Sequence, residues 1–134
     1  MVRTFPRDMA SLPALVDFVR EFLAAETLGE DDAYALDLVL EELFTNLVKY
    51  GRGARGDVEV GLRRDPSGLV LTLREFDAEF YDPTAAPDVD VTRPIEERRP
   101  GGLGIHFVRT LTSEFRYDWR ERIGTITVTM RAQN

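Results

Sequence analysis

The stretch from Leu38 to Leu47 constrains this chain more than any other. Leu36, Val39, Leu40, Leu43 and Leu47 recur at helical spacing, which predicts a helix with one apolar stripe turned to a core. At 100° per residue, Asn46 falls about 20° from Val39 and Glu42 about 60° from it. A carboxylate and a carboxamide, four residues apart, therefore sit on the edge of the face that packs inward. Burying such groups costs free energy unless a partner satisfies them. That partner is a backbone group, a water, a metal ion or a ligand, and the rest of the chain has to decide which.

The chain has 134 residues, 43% of them hydrophobic and 31% charged. This is enough material for one domain with a real core, residues 1–134, and too apolar for disorder. No apolar run reaches membrane-spanning length, and the first eight residues carry no signal-peptide core. Cysteine is absent, so disulfides and thiolate metal sites are excluded and the cytoplasm is the expected location. A net charge of −7 disfavours nucleic acid and anionic membrane as partners. Most of the arginines at 52, 55, 63, 64, 93, 98 and 99 read as solvated surface. His106 is the sole histidine, which rules out a multi-histidine metal site. Of the serines available for a triad with it, Ser11, Ser67 and Ser113, none lies in a G-x-S-x-G setting.

Residues 1–7 suit a short edge strand. Asp8 or Ser11 can cap a helix with Pro13 in its first turn; Leu12, Leu15, Val16, Val19, Phe22 and Leu23 carry it to about Ala25, with a stop near Gly29. Glu30, Asp31 and Asp32 open the second helix at its positive end, which continues to Tyr50 and gives way to the glycine-rich loop 51–56. Val58, Val60 and Leu62, then Leu69, Leu71 and Leu73, alternate as two strands around the turn Asp65-Pro66-Ser67-Gly68. Residues 75–83 are acidic and aromatic, and 84–100 form a long irregular loop of the functional kind. A third helix follows Gly101-Gly102-Leu103-Gly104, and strands at Glu114–Trp119 and Thr125–Met130 make a last hairpin. Helices and strands are partly segregated, which predicts an α+β two-layer sandwich.

Gly102-x-Gly104 before a helix offers free backbone N–H groups beside a positive helix end, a setting that suits phosphate, although on its own a structural turn is the commoner explanation. No Gly-Lys-Ser/Thr follows, so it is not Walker A. Glu42 and Asn46 are hard ligands of the type Mg²⁺ shares with phosphate oxygens, and a carboxylate beside phosphate can take a proton from an attacking hydroxyl.

Taken together, Glu42-x-x-x-Asn46 with Tyr50-Gly51, then Phe80-Tyr81-Asp82-Pro83, then Gly101-Gly102-Leu103-Gly104-Ile105-His106-Phe107-Val108-Arg109 resemble the N-box, the Phe-Asp-Pro segment and the glycine-rich phosphate box of the anti-sigma-factor serine kinases. These form a branch of the ATPases that also include histidine kinases, gyrase, Hsp90 and MutL, and the resemblance covers almost the whole chain. It implies a Bergerat-type fold, a mixed, mostly antiparallel sheet with about three helices on one face, and an ATP-lid-like loop over 84–101. It implies ATP and Mg²⁺ as cofactors, Glu42 as general base, Asn46 as Mg²⁺ ligand, and Gly102, Leu103, Gly104 and Ile105 as the phosphate box. The partners it implies are an anti-sigma-factor antagonist phosphorylated on serine and a sigma factor, with a homodimer as the expected assembly. Counting back from Asp82-Pro83, the family's adenine-binding Asp falls on Phe76 and its Gly on Ala78. A bulge or a one-residue insertion would bring Asp77, or behind it Glu75, to the adenine amino group. The competing expectation is a binding module that holds a sigma factor or antagonist without needing ATP.

Overall fold

The computed structural model describes residues 1–51, 56–85 and 102–131. The elements run β1 (Val2–Phe5), α1 (Leu12–Ala25), α2 (Glu30–Tyr50), β2 (Val58–Asp65), β3 (Gly68–Glu75), α3 (Gly102–Leu111), β4 (Thr112–Arg120) and β5 (Ile123–Met130). This is the order the periodicities predict. The glycine-rich loop from residue 52 to 55, and the lid-like loop from residue 86 onward, lie outside the described residues.

The strands form one sheet in the order β1-β2-β3-β5-β4. All its pairings are antiparallel, where a mixed sheet was expected. Strand alternation explains why one face is covered. Val58, Val60 and Leu62 of β2, Leu71 and Leu73 of β3, and Ile126 and Val128 of β5 are all buried, and Leu71 pairs with Val128 and Leu73 with Ile126. Their side chains stand on the same side of the pleat. Against that side pack Phe18, Val19 and Phe22 of α1 and Leu36, Val39, Leu40, Leu43, Phe44 and Leu47 of α2. The fold is thus an α+β two-layer sandwich, with α2 in contact with both α1 and α3. The other sheet face carries Thr72, Thr125 and Thr127, which are half-buried, and ion pairs such as Arg74–Glu59 and Arg116–Glu114.

Local chemistry sets the ends. Asp8 accepts the Ala10 N–H at 2.9 Å, and the Ser11 hydroxyl donates to the Pro6 carbonyl at 2.8 Å, and these two bonds turn the chain from β1 into α1. α1 does not use Gly29 to stop. Thr27 takes a left-handed φ of 55°, and the Leu28 N–H returns to the Leu23 carbonyl at 2.9 Å, the wrap that glycine usually provides. The β4–β5 turn is also built without glycine. Glu121 and Arg122 both have positive φ, 51° and 63°, as a two-residue hairpin loop requires.

Candidate functional site

α2 presents Glu42 toward α3 and carries Asn46 one turn further on. Asn46 is buried at 6% exposure, and among the described residues its Nδ2 has no hydrogen-bond partner. A buried amide donor left unmade costs about 1–3 kcal/mol, so this position favours an incoming acceptor. Glu42, one turn earlier, is half-buried. Burial pushes its carboxyl above the ordinary value, the neighbouring Glu41 charge adds to the rise, and Lys49 opposes it. Both effects make Glu42 a better proton acceptor than an exposed glutamate.

Gly104 meets this pair from α3. A Cβ there would lie 2.7 Å from Glu42 Cδ and closer still to Oε2, so only glycine lets the Glu42 carboxylate rest against the first turn of α3. The structure therefore brings Glu42 against the start of α3, with Asn46 one turn further along α2. Gly102 and Leu103 lie in that first turn, whose N–H groups have no carbonyl partner within the helix. Ile105 is buried at 4% exposure and anchors the turn in the interior.

The structure places Asp77 away from this group. It has a left-handed φ of 52°, its side chain is 72% exposed, and it pairs with Arg122. The Arg122 Nε donates to Asp77 Oδ1 at 2.8 Å and Nη2 donates to the Asp77 carbonyl at 3.2 Å, while the Ala78 N–H donates to the Arg122 carbonyl at 2.8 Å. The expectation that a bulge turns Asp77 inward is thus not what the geometry shows, because the β4–β5 turn holds it outside.

The inward carboxylate is Glu75, the last residue of β3, at 2% exposure. It continues the inward alternation of Leu71 and Leu73. Arg7 Nη2 donates to Glu75 Oε1 at 2.5 Å and Nη1 donates to the Leu47 carbonyl at 2.9 Å. Gly51 lies against this pair: a Cβ there would meet Leu47 O at 2.6 Å and Glu75 Oε1 at 2.9 Å. Sequence reasoning underweighted Glu75 and missed Arg7. Two-residue alternation carried past Leu73 was the available signal for Glu75; nothing local marks Arg7.

The segment after Glu75 is fixed to β4. Trp119 Nε1 donates to the Ala78 carbonyl at 3.0 Å, the Tyr81 N–H donates to the Tyr117 hydroxyl at 3.1 Å, and Phe80 packs edge-on against Tyr117 and Trp119. Asp82 caps the turn at Pro83–Ala85 through Thr84, and Arg109 of α3 donates to the Thr84 carbonyl at 3.0 Å. The Phe-Tyr-Asp-Pro stretch is therefore a structural clasp that leads the chain back toward α3.

A family model, the histidine kinase-like ATPase domain, matches residues 5–131. The chain belongs to this family. Membership explains why a helix with an inward Glu and Asn faces a glycine turn, and it makes nucleotide the ligand class of the family's site. The fold is also similar to that of a chain in the crystal structure of the SiaB–SiaC complex from Pseudomonas aeruginosa, at 18% identity and a TM-score of 0.66, over 96% of this chain and 87% of that one. No curated protein matches by sequence. No helix among the described residues is long and apolar enough to cross a membrane.

Whether the residues fit a nucleotide with Mg²⁺ differs along the cleft. At the α3 end they fit: an orphaned amide, a carboxylate of raised basicity and a helix start converge. The Asn46 amide can present either its nitrogen to a phosphate oxygen or, turned over, its oxygen to a cation. Among the described residues no three carboxylates or imidazoles converge, so a Mg²⁺ held by Asn46 would be completed by phosphate oxygens and water. At the β3 end the inward carboxylate is already taken by Arg7.

Proposed function

We propose that this protein is an ATP- and Mg²⁺-dependent serine kinase of the anti-sigma-factor type, which phosphorylates an anti-sigma-factor antagonist in a partner-switching pathway in the cytoplasm. The observation that carries this reading is the Glu42 carboxylate lying against Gly104, one helical turn from Asn46, whose buried Nδ2 has no partner among the described residues. In this reading the first turn of α3, from Gly102 to Ile105, cradles the phosphates, and Asn46 holds the Mg²⁺, which supplies charge neutralisation on the phosphates. Glu42 takes the proton of the serine hydroxyl as that oxygen forms its bond to the terminal phosphorus and the bond to the bridging oxygen breaks, leaving ADP. The likeness to a fold found in a two-protein complex supports a protein as the acceptor; in this reading a sigma factor is the second partner and a homodimer the assembly.

Calorimetric titration with ATP and Mg²⁺ tests the reading, together with phosphate transfer to the candidate antagonist. Binding that is lost in Asn46→Ala, with transfer that is lost in Glu42→Gln while binding persists, is the expected result. Absence of binding at millimolar nucleotide overturns it.

One observation favours the second reading, a module that holds its partner without nucleotide: Glu75 is satisfied within the chain and Asp77 faces solvent. Partner binding that is indifferent to ATP and to Asn46→Ala supports that module, and strict ATP dependence rules it out.

A further inference from the structure

The sheet ends on β4, which has nine residues and, among the described residues, one neighbour, β5. The opposite end is β1, of four residues. An edge strand leaves a row of backbone N–H and C=O groups for another strand to take, and folded chains guard against this by keeping edges short, bulged or blocked. β1 is guarded by its length. β4 is not: its irregular register is confined to Thr112–Glu114, and from Glu114 to Arg120 every residue stays in step with β5. This regular part carries no proline and spans about 20 Å.

Its side chains divide between the two faces. Phe115, Tyr117 and Trp119 stand on the helix side, since Phe115 pairs with Val128 and Tyr117 with Ile126, both core residues. Glu114, Arg116, Asp118 and Arg120 stand on the open face, where Arg116 pairs with Glu114 and Arg120 with Asp118, all of them well exposed. The charges therefore run minus, plus, minus, plus. A second copy of the strand, laid antiparallel with Tyr117 opposite Tyr117, puts Glu114 opposite Arg120 and Arg116 opposite Asp118, so that unlike charges meet at every position. On the helix side the same register sets Phe115 against Trp119. A slide of two residues in one direction sets Arg116 against itself, and in the other sets Asp118 against itself. A slide of one residue puts charges opposite aromatics. The aromatic side of this edge is also uncovered: Trp119 is 37% exposed, and Phe80, which packs edge-on against Tyr117 and Trp119, is 63% exposed. Exposed large aromatics of this kind are enriched where proteins meet.

Resting on the homodimer of the proposed function and naming its surface, we propose that two copies pair antiparallel through β4 about a two-fold axis at Tyr117, joining their sheets into one. The partner is a second copy because the strand is complementary to itself in this register alone. The interface is isologous and closes at two copies, since each copy has one β4 to give. Strand hydrogen bonds and aromatic pairs supply the affinity; the exposed charges, each worth little by itself, set the register.

Sedimentation equilibrium tests this on the wild type, Arg116→Glu, Asp118→Arg, an equimolar mixture of those two variants, and the double variant carrying both changes. Either single change sets like charges opposite each other in the homodimer, whereas the mixture and the double variant restore unlike charges throughout. The wild type is expected to be a dimer, each single variant to dissociate about tenfold more readily, and the mixture and double variant to recover wild-type association. Both side chains are exposed, so the variants should fold as the wild type does, which circular dichroism checks; the double variant decides the register even where a single variant fails to fold. A dimer whose association neither single change weakens overturns pairing through β4 and leaves the homodimer on another surface. A mixture and double variant that stay dissociated overturn this register. A monomeric wild type overturns the pairing and the homodimer together, while calorimetry with ATP on the same samples reports separately on the kinase reading.

Discussion

Asn46 carries a stability penalty. Its amide is buried among apolar neighbours of α2, and Nδ2 is unpaired among the described residues. Replacing it by leucine, of similar size, removes the orphan, so Asn46→Leu is expected to raise the unfolding free energy by about 1 kcal/mol and to abolish ATP binding. A shifted urea midpoint at unchanged slope checks the first part. Glu42 shows the same opposition through pH. Its folded carboxyl titrates above the ordinary 4.5, so the folded state holds this proton more tightly than the unfolded chain does. That contribution is fully present below 4.5 and is lost as pH rises through the raised folded value. Glu42→Gln should therefore resemble the wild type in acid and melt higher at neutral pH. Its phosphoryl transfer should fall by about 10²–10⁴-fold. Thermal scans at pH 4 and pH 7 beside single-turnover transfer assays would show both; a wild type that is the more stable at pH 7 contradicts the account.

Elements in this protein end where the chain can form a wrap, and not always where glycine stands. α1 stops at Ala25 because Thr27 goes left-handed and Leu28 reaches back to Leu23. A β-branched residue pays about 1–2 kcal/mol for that conformation. Thr27→Gly should relieve part of it and stabilise by about 1 kcal/mol, with the greater chain entropy of glycine limiting the gain. Denaturant titration measures it; destabilisation would mean that the threonine side chain supports the wrap. The periodic cores of α1, α2, β2, β3 and β5 were legible because side chains recur every 3.6 or two residues whatever lies beyond the element. The start of β4 at Thr112 was not, because it follows α3 directly and shows an irregular register at Thr112–Glu114.

At the scale of the molecule, one buried ion pair joins three elements. Arg7 leaves the end of β1, reaches Glu75 at the end of β3, and caps the Leu47 carbonyl in the last turn of α2. Removing one partner strands a buried charge, so Arg7→Met alone is expected to cost about 3–5 kcal/mol, whereas Arg7→Met with Glu75→Leu should recover most of it. A double-mutant cycle in urea gives the coupling directly. Near-additive losses would show that the two residues act separately.

The sequence by itself determined the two-layer order of helices and strands, the inward edge carrying Glu42 and Asn46, and the glycine turn opening α3. Each follows from spacing within one element, and spacing is local. Tertiary structure alone decided which carboxylate after β3 faces the cleft. Asp77 is held out by Arg122, 45 residues away, and Glu75 is held in by Arg7, 68 residues away. Within residues 75–77 both acids were candidates. Their partners come from the first loop and the last hairpin, which only the folded sheet brings to one end of the molecule.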